Sequence, residues 1–254
     1  MKTILENIFE CKRDNLTIRG TEYCPEGNDL PAAILCHGFM ANQDRMRHYA
    51  KMMAEAGYAA YCFDFCGGSI PGTGKSDGKT EEMSVLTEVA DLEAVIAYVQ
   101  NLSYINKKLI LMGNSQGGFV SGITAAKHPG LVDKLILFYP ALCIPDDARA
   151  GSMRAGKFDP NNIPDTFECG PMLLGRCYPE AVNKMNAFKE IGGYKGPVLL
   201  VHGTADDIVS IDYSKKAHEA LENSELLIIE GGQHGFTPEC DEIAIAAIKR
   251  FVNA

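Results

Sequence analysis

An α/β fold with a mostly parallel central sheet, covered by helices on both faces, is what this chain of 254 residues predicts. Short continuous apolar runs, such as Ala32-Ala33-Ile34-Leu35-Cys36 and Val198-Leu199-Leu200-Val201, read as strands buried on both faces. Between them lie stretches with apolar residues every three or four positions, the period of a helix with one buried side. Strands alternating with helices build parallel sheets. One interval breaks the pattern: 142–194 carries prolines, isolated glycines and no long periodic run, and is too long for a plain connection. The expected organisation is a core in two parts, 1–141 and 195–254, around a small inserted lid at 142–194.

Taken in order, residues 3–24 read as two short strands forming a hairpin, followed by the Ala32–Cys36 run. A helix is expected from about Asp44 to Ala56, ended by Gly57, and then a strand from Tyr58 to Phe63. A loop rich in Gly, Pro and Ser fills 67–79. Val85, Val89, Leu92, Ile96 and Val99 mark a helix over 82–101. Leu109–Met112 is a strand, 116–127 a helix and Leu135–Tyr139 a strand. After the interruption come a strand at 197–202, a helix at about 212–221 and a strand at 225–230. A last helix runs from Asp241 to Val252, its apolar side read as Ile243, Ala247, Ile248 and Phe251.

Composition narrows the function classes. Hydrophobic residues at 46% and charged residues at 22% are ordinary for a globular protein. A formal net charge of −9 argues against a nucleic-acid or anionic-membrane surface, since both need basic patches. The nine cysteines are odd in number and scattered, with no C-x-x-C pair, which reads as free thiols in a reducing compartment. Glu6 stands where a signal peptide needs an apolar core, and no run of 18 apolar residues exists. A cytoplasmic protein is expected.

The chemistry gathers at Gly113-Asn114-Ser115-Gln116-Gly117. This G-x-S-x-G stands directly after the Leu109–Met112 strand and directly before a helix, the strand–turn–helix context that gives the pattern meaning. So tight a turn needs small neighbours and leaves the serine exposed above the sheet. Asp206, in His202-Gly203-Thr204-Ala205-Asp206-Asp207, and His234, in Gly231-Gly232-Gln233-His234-Gly235, each follow an apolar run. A serine hydroxyl needs a base to take its proton; His234 is the candidate, oriented by Asp206. Asp207 is adjacent, but alternation along an extended segment lets only one of the two face the histidine. Two backbone N–H groups should hold the oxyanion. Gln116 follows the nucleophile, and Phe39 lies in the His37-Gly38-Phe39-Met40 loop after the Cys36 strand.

The remaining histidines read as structural or surface groups: His48 and His218 on helices, His128 at a helix end, and His202 as a hydrogen-bonder shaping the turn before Asp206. Gly72-Thr73-Gly74-Lys75-Ser76 looks like the end of a phosphate-binding loop. Ser69, however, stands where the motif needs glycine, and Asp77-Gly78 follows where a helix should begin. It is read as a connection near the rim of the site.

With these residues located, the chain resembles the α/β-hydrolase superfamily over nearly its whole length. More narrowly it resembles the bacterial cinnamoyl (feruloyl) esterases grouped with serine aminopeptidase-like hydrolases. The likeness rests on His37-Gly38-Phe39, Phe63-Asp64-Phe65, Ser76-Asp77-Gly78, the serine motif, the His202–Val209 segment and Glu230-Gly231-Gly232-Gln233-His234. Within 142–194, Asp146-Asp147-Ala148, Asn162-Ile163-Pro164-Asp165 and Leu174-Gly175-Arg176-Cys177-Tyr178 add to it. The resemblance implies an α/β-hydrolase fold, selects Asp206 as the acid, and implies that Asp147 and Tyr178 hydrogen-bond a phenolic hydroxyl of the substrate. Arg154 falls where relatives carry a neutral polar residue, and an arginine there favours an anionic acyl group. The expected activity is a serine carboxylesterase on small aryl or short-chain acyl esters, with no cofactor and no metal. The expected partner is the small ester alone, without nucleic acid or membrane; a homodimer stays open. A peptidase, an amidase or an acyltransferase would use the same three residues, and a non-catalytic binding protein would need none of them.

Overall fold

The structure is a computed structural model that describes residues 3–254. Its sheet begins with two antiparallel strands, β1 (Ile4–Arg13) and β2 (Leu16–Pro25), joined by a two-residue turn at Asp14-Asn15. At ten residues each they are longer than the sequence suggested. β3 (Leu30–Cys36), α1 (Arg47–Glu55), β4 (Ala59–Phe63), α2 (Val85–Gln100), β5 (Ile105–Asn114), α3 (Gln116–Lys127) and β6 (Lys134–Phe138) follow in alternation. β11 (Val198–Gly203), α7 (Ile211–Ala220), β12 (Ser224–Ile229) and α8 (Pro238–Asn253) close the chain.

Between β6 and β11 lie only short elements: α4 (Ile144–Ala150), the hairpins β7 (Ser152–Met153)–β8 (Gly156–Lys157) and β9 (Thr166–Cys169)–β10 (Met172–Gly175), α5 (Cys177–Val182) and α6 (Ala187–Ile191). None exceeds seven residues, which is why no periodicity was visible there.

The eight main strands form one sheet in the order β1-β2-β4-β3-β5-β6-β11-β12, with every pair from β4 to β12 parallel. Its central strands are buried on both faces. On β3, Ala32, Ile34 and Cys36 enter one core, and Ala33 and Leu35 the other. The first core is completed by α2, through Val85, Val89, Leu92, Ile96 and Val99, and by Phe119, Val120 and Ile123 of α3. The second is completed by Tyr49, Met52 and Met53 of α1 and by α8. On α8 one expected contact is corrected: Ile243 is 49% exposed, and Ala244 takes the inward position. From Ala244, Ile248 is four residues on and Phe251 seven, one helical stripe, and Ile243 lies about 100° off it.

α2 starts at a capping box, in which Ser84 Oγ accepts from Thr87 N–H while Thr87 Oγ1 accepts from Ser84 N–H. β5 begins four residues earlier than the apolar run, because Asn106, Lys107 and Lys108 disguise its start and Lys107 (φ 72°) accompanies a break in register against β3. Among the described residues no helix is long and apolar enough to cross a membrane.

The candidate phosphate loop is tied to the sheet by its own side chains. Asp77 Oδ2 accepts from Thr17 N–H at 2.8 Å, Ser76 Oγ accepts from Arg19 N–H at 2.8 Å, and Lys75 N–H donates to Asp64 Oδ2 at 2.7 Å. No helix follows it directly; Thr80–Glu82 is a single 3-10 turn.

Candidate active site

Ser115, Asp206 and His234 leave the carboxyl ends of β5, β11 and β12, where an open parallel sheet gathers its loops. Ser115 sits between strand and helix with φ 51° and ψ −122°, a conformation costly for a residue bearing a Cβ. Its surroundings force this. A Cβ on Gly117 would stand 2.3 Å from His37 O, and one on Gly113 would stand 2.2 Å from Gly117 O. Only glycine on both sides lets the turn close. Ser115 N–H donates to Phe138 O, and Ser115 O accepts from Ala141 N–H, each at 2.9 Å, so the turn is fastened to the end of β6.

His234 Nε2 lies 3.0 Å from Ser115 Oγ, and its Nδ1 lies 2.8 Å from Asp206 Oδ2. Asp207 is exposed and has no contact with the histidine among the described residues. The two loops are cross-tied: Gly231 N–H donates to Thr204 Oγ1 and Ala205 N–H to Gly232 O, each at 2.9 Å. The glycines of the histidine loop serve that crossing, since Gly203 and Gly232 pack backbone to backbone and Gly231 and Gly235 take positive φ.

The Asp206 side chain is buried, which by itself would raise its pKa. Hydrogen bonds from His202, His234 and Val209 N–H instead hold it well below the usual carboxylate range. Oδ1 accepts from Ile208 and Val209 N–H at 2.9 Å each. His202 does more than shape the turn. Its Nε2 lies 3.2 Å from Asp206 Oδ2 and 2.9 Å from Val209 O, while Nδ1 meets Ser214 Oγ at 2.7 Å. Tyr139, at φ +34°, sets its ring 4.5 Å from the His234 imidazole at a tilt of 53° and packs beside it. Its position after an apolar strand gave no signal of this, whereas His202, four residues before Asp206, offered one.

Phe39 and Gln116 flank the serine as expected. Gln116 opens α3, so its N–H has no intrahelical acceptor, and neither it nor Phe39 N–H finds another partner among the described residues. The Phe39 loop is held by buried His37, whose Nε2 accepts from Phe65 N–H at 3.1 Å; burial pulls its pKa down and keeps it neutral. The Gln116 side chain bridges inward. Its Nε2 donates to Glu88 Oε2 at 2.8 Å, and its Oε1 accepts from the Tyr178 hydroxyl. Burial pushes both the Glu88 carboxyl and the Tyr178 phenol well above their ordinary values.

Two hollows meet at Ser115 and His234. One, of about 140 Å³, is lined by apolar side chains including Met40, Ile144, Met153 and Val209. Asp147 and Tyr178 also line it, so the structure brings both to the hollow that Ser115 borders. Burial raises the Asp147 carboxyl above its usual range. Arg154, in the β7–β8 turn with φ 56°, also lines this hollow, and no carboxylate pairs with it among the described residues. The other hollow, of about 730 Å³, is more open and more polar, and borders the His234–Phe236 loop.

Residues 30–166, more than half the chain, match the family model described as serine aminopeptidase, S33. The chain belongs to this serine aminopeptidase family. Residues 172–253 also match a model described as TAP-like protein. Among curated relatives, this S33-family hydrolase is 26% identical to the AB hydrolase superfamily protein YisY of Bacillus subtilis, over 87% of this chain and 91% of that one. It is 23% identical to a monoacylglycerol lipase of Mycolicibacterium smegmatis, over 85% and 74%. Its fold superposes on Est1E of Butyrivibrio proteoclasticus, in a structure with ferulic acid bound, with a TM-score of 0.89, 27% identity, and 96% and 97% of the chains covered. The α/β-hydrolase fold of the S33-family chain is thereby established.

Proposed function

We propose that this S33-family hydrolase is a serine carboxylesterase for small aryl esters of the hydroxycinnamoyl type. Ser115 is the nucleophile, His234 the base and Asp206 the acid that holds it. The observation that carries the reading is the hydrogen-bonded row Ser115–His234–Asp206 opening onto a hollow of about 140 Å³ that, beyond Ser115 and His234, is apolar except at Gln116, Asp147, Tyr178 and Arg154. A cavity of about 150 Å³ holds one benzene ring, so this hollow suits one aromatic acyl group. The ferulic acid in Est1E and the esterase and lipase names of other relatives support the same class.

Ser115 Oγ attacks the ester carbonyl as His234 Nε2 accepts its proton, and Asp206 stabilises the imidazolium. The developing oxyanion takes hydrogen bonds from the N–H groups of Phe39 and Gln116, which have no internal partner to give up. His234 then protonates the leaving alcohol. Water, deprotonated by His234, cleaves the acyl-enzyme and returns Ser115. In the hollow, the Tyr178 proton is committed to Gln116, so Tyr178 offers an oxygen lone pair and meets a substrate hydroxyl as acceptor.

The test is hydrolysis of p-nitrophenyl acetate, p-nitrophenyl octanoate, methyl ferulate and an aminoacyl anilide by wild type and Ser115→Ala. Methyl ferulate turnover that vanishes in the variant is expected. Acetate turnover alone would discard the aryl acyl group, and anilide turnover without ester turnover would transfer the triad to peptide chemistry. Equal activity in both proteins would remove Ser115 from its role.

A further inference from the structure

The second hollow at Ser115 differs from the first in its chemistry. Its far wall is the segment just after the Phe39 loop: the 3-10 turn Gln43–Arg45 and the start of α1. Five charged or titratable groups line it there and on α8: Asp44, Arg45, His48, Tyr49 and Asp241. Asp44 is engaged by Arg47 Nε at 2.7 Å. Asp241 accepts from the Tyr49 hydroxyl and lies 3.2 Å from His48 Nε2. Arg45 has no carboxylate partner among the described residues, so its guanidinium is left free to meet a ligand. Arg45 lines this hollow together with Tyr139 and His234. The Tyr139 ring in turn lies 4.5 Å from the His234 imidazole, tilted against it.

Arg45 stands on a rigid mount. Gln43 N–H donates to buried Asp64 Oδ1 at 2.7 Å, the Gln43 side chain accepts from Thr21 Oγ1 at 2.8 Å, and Arg45 N–H closes on Asn42 O at 3.2 Å. A fixed backbone limits the ordering entropy left to be lost when the side chain meets a ligand.

The direction of the reaction decides what lies in this hollow. The leaving oxygen must come within reach of His234 Nε2, and the hollow that borders the loop after His234 is the open, polar one. We propose that it is the alcohol site, and that Arg45 selects esters whose alcohol part carries a carboxylate. This rests on the esterase reading above. The protein's net charge of −9 repels anions in general, so any preference for an anionic alcohol must come from a local cation.

The test uses the cinnamate esters of glycolic acid and of glycolamide, which share the acyl group and differ in carboxylate against amide. In wild type the acid ester should exceed the amide ester in kcat/KM by about five- to tenfold, as for a charge-assisted hydrogen bond discounted for exposure. The difference should lie in KM and shrink with added salt. In Arg45→Gln the ratio should fall to one or below. In Arg250→Gln, which loses the same charge on the outer side of α8, the ratio should stay as in wild type. A wild-type ratio of one, or a preference that survives Arg45→Gln, overturns the assignment while leaving the esterase intact. Hydrolysis of neither ester by wild type overturns the esterase reading and this inference with it.

Discussion

Ser115, Asp206 and His234 stand on loops leaving buried parallel strands, and backbone hydrogen bonds to neighbouring strands fix each loop. The segment 142–194 that walls the small hollow is built differently. Its helices have five to seven residues and its hairpins two to four per strand, and it meets the sheet through side chains such as Leu142, Ile144 and Leu174. In the first region atoms are held by covalent geometry and closed hydrogen bonds. In the second they are held mainly by packing, joined by scattered side-chain hydrogen bonds such as Thr80 Oγ1 to Leu173 O at 2.6 Å and the Tyr178 hydroxyl to Gln116, and packing tolerates shape change as long as volume is kept. Reaction chemistry needs the first kind of support, and adapting to a substrate needs the second.

That contrast can be broken at several points, the largest effect first. Asp206→Asn should lower kcat about 10⁴-fold while the protein stays folded, since an amide cannot hold the imidazole in the working tautomer; steady-state kinetics on methyl ferulate with a melting curve would read both. The same substitution made in each region should then separate them. Gly117→Ala drives a Cβ to 2.3 Å from His37 O and 2.5 Å from Cys36 O, where neither backbone can retreat. It should cost at least about 3 kcal/mol of stability. Gly170→Ala, in the β9–β10 turn at φ +59° with no atom nearer than 3.8 Å, should cost only about 1–2 kcal/mol. Urea unfolding would compare the two, and equal costs would dissolve the distinction.

A smaller effect tests the hollow itself. Tyr178→Phe leaves the buried Gln116 Oε1 without its donor and removes an acceptor for the substrate. It should raise KM for methyl ferulate about tenfold, and less for an unhydroxylated cinnamate. An equal rise for both would assign Tyr178 to the support of Gln116 alone.

The smallest is a pH effect. Asp206 has its pKa depressed in the folded state, so its ionised form stabilises the fold above the unfolded value of about 4, and that stability fades as pH falls through the depressed value. The stability gap between wild type and Asp206→Asn should be constant from neutral pH down to about 4 and close below it. A gap that widened on acidification would contradict the sign.

Much of the scaffold was legible because it is written in local terms. Val85, Val89, Leu92, Ile96 and Val99 are all buried, as their spacing implied. The extent of β5 was not, since Asn106, Lys107 and Lys108 look like a loop; they form the irregular stretch between the pairs Ile105–Leu30 and Leu109–Ala32 against β3. Ile243 was misread because two overlapping stripes fit the sequence of α8, and only contact with the sheet chooses between them.

The sequence by itself determined the strand–helix alternation, the serine turn and the chain order of Ser115, Asp206 and His234, because each depends on neighbours within a few residues. It also placed Asp147 and Tyr178 in the segment that walls the hollow, though only by resemblance. Tertiary structure alone decided that His202 also meets Asp206, that Tyr139 lies against the imidazole, and that Gln116 joins Tyr178 to Glu88. Hydrogen-bonded contacts span 28 and 119 residues for His234 and 28 and 62 for Gln116. At such separations the partner is set by how strands pair and helices pack, which no local pattern encodes.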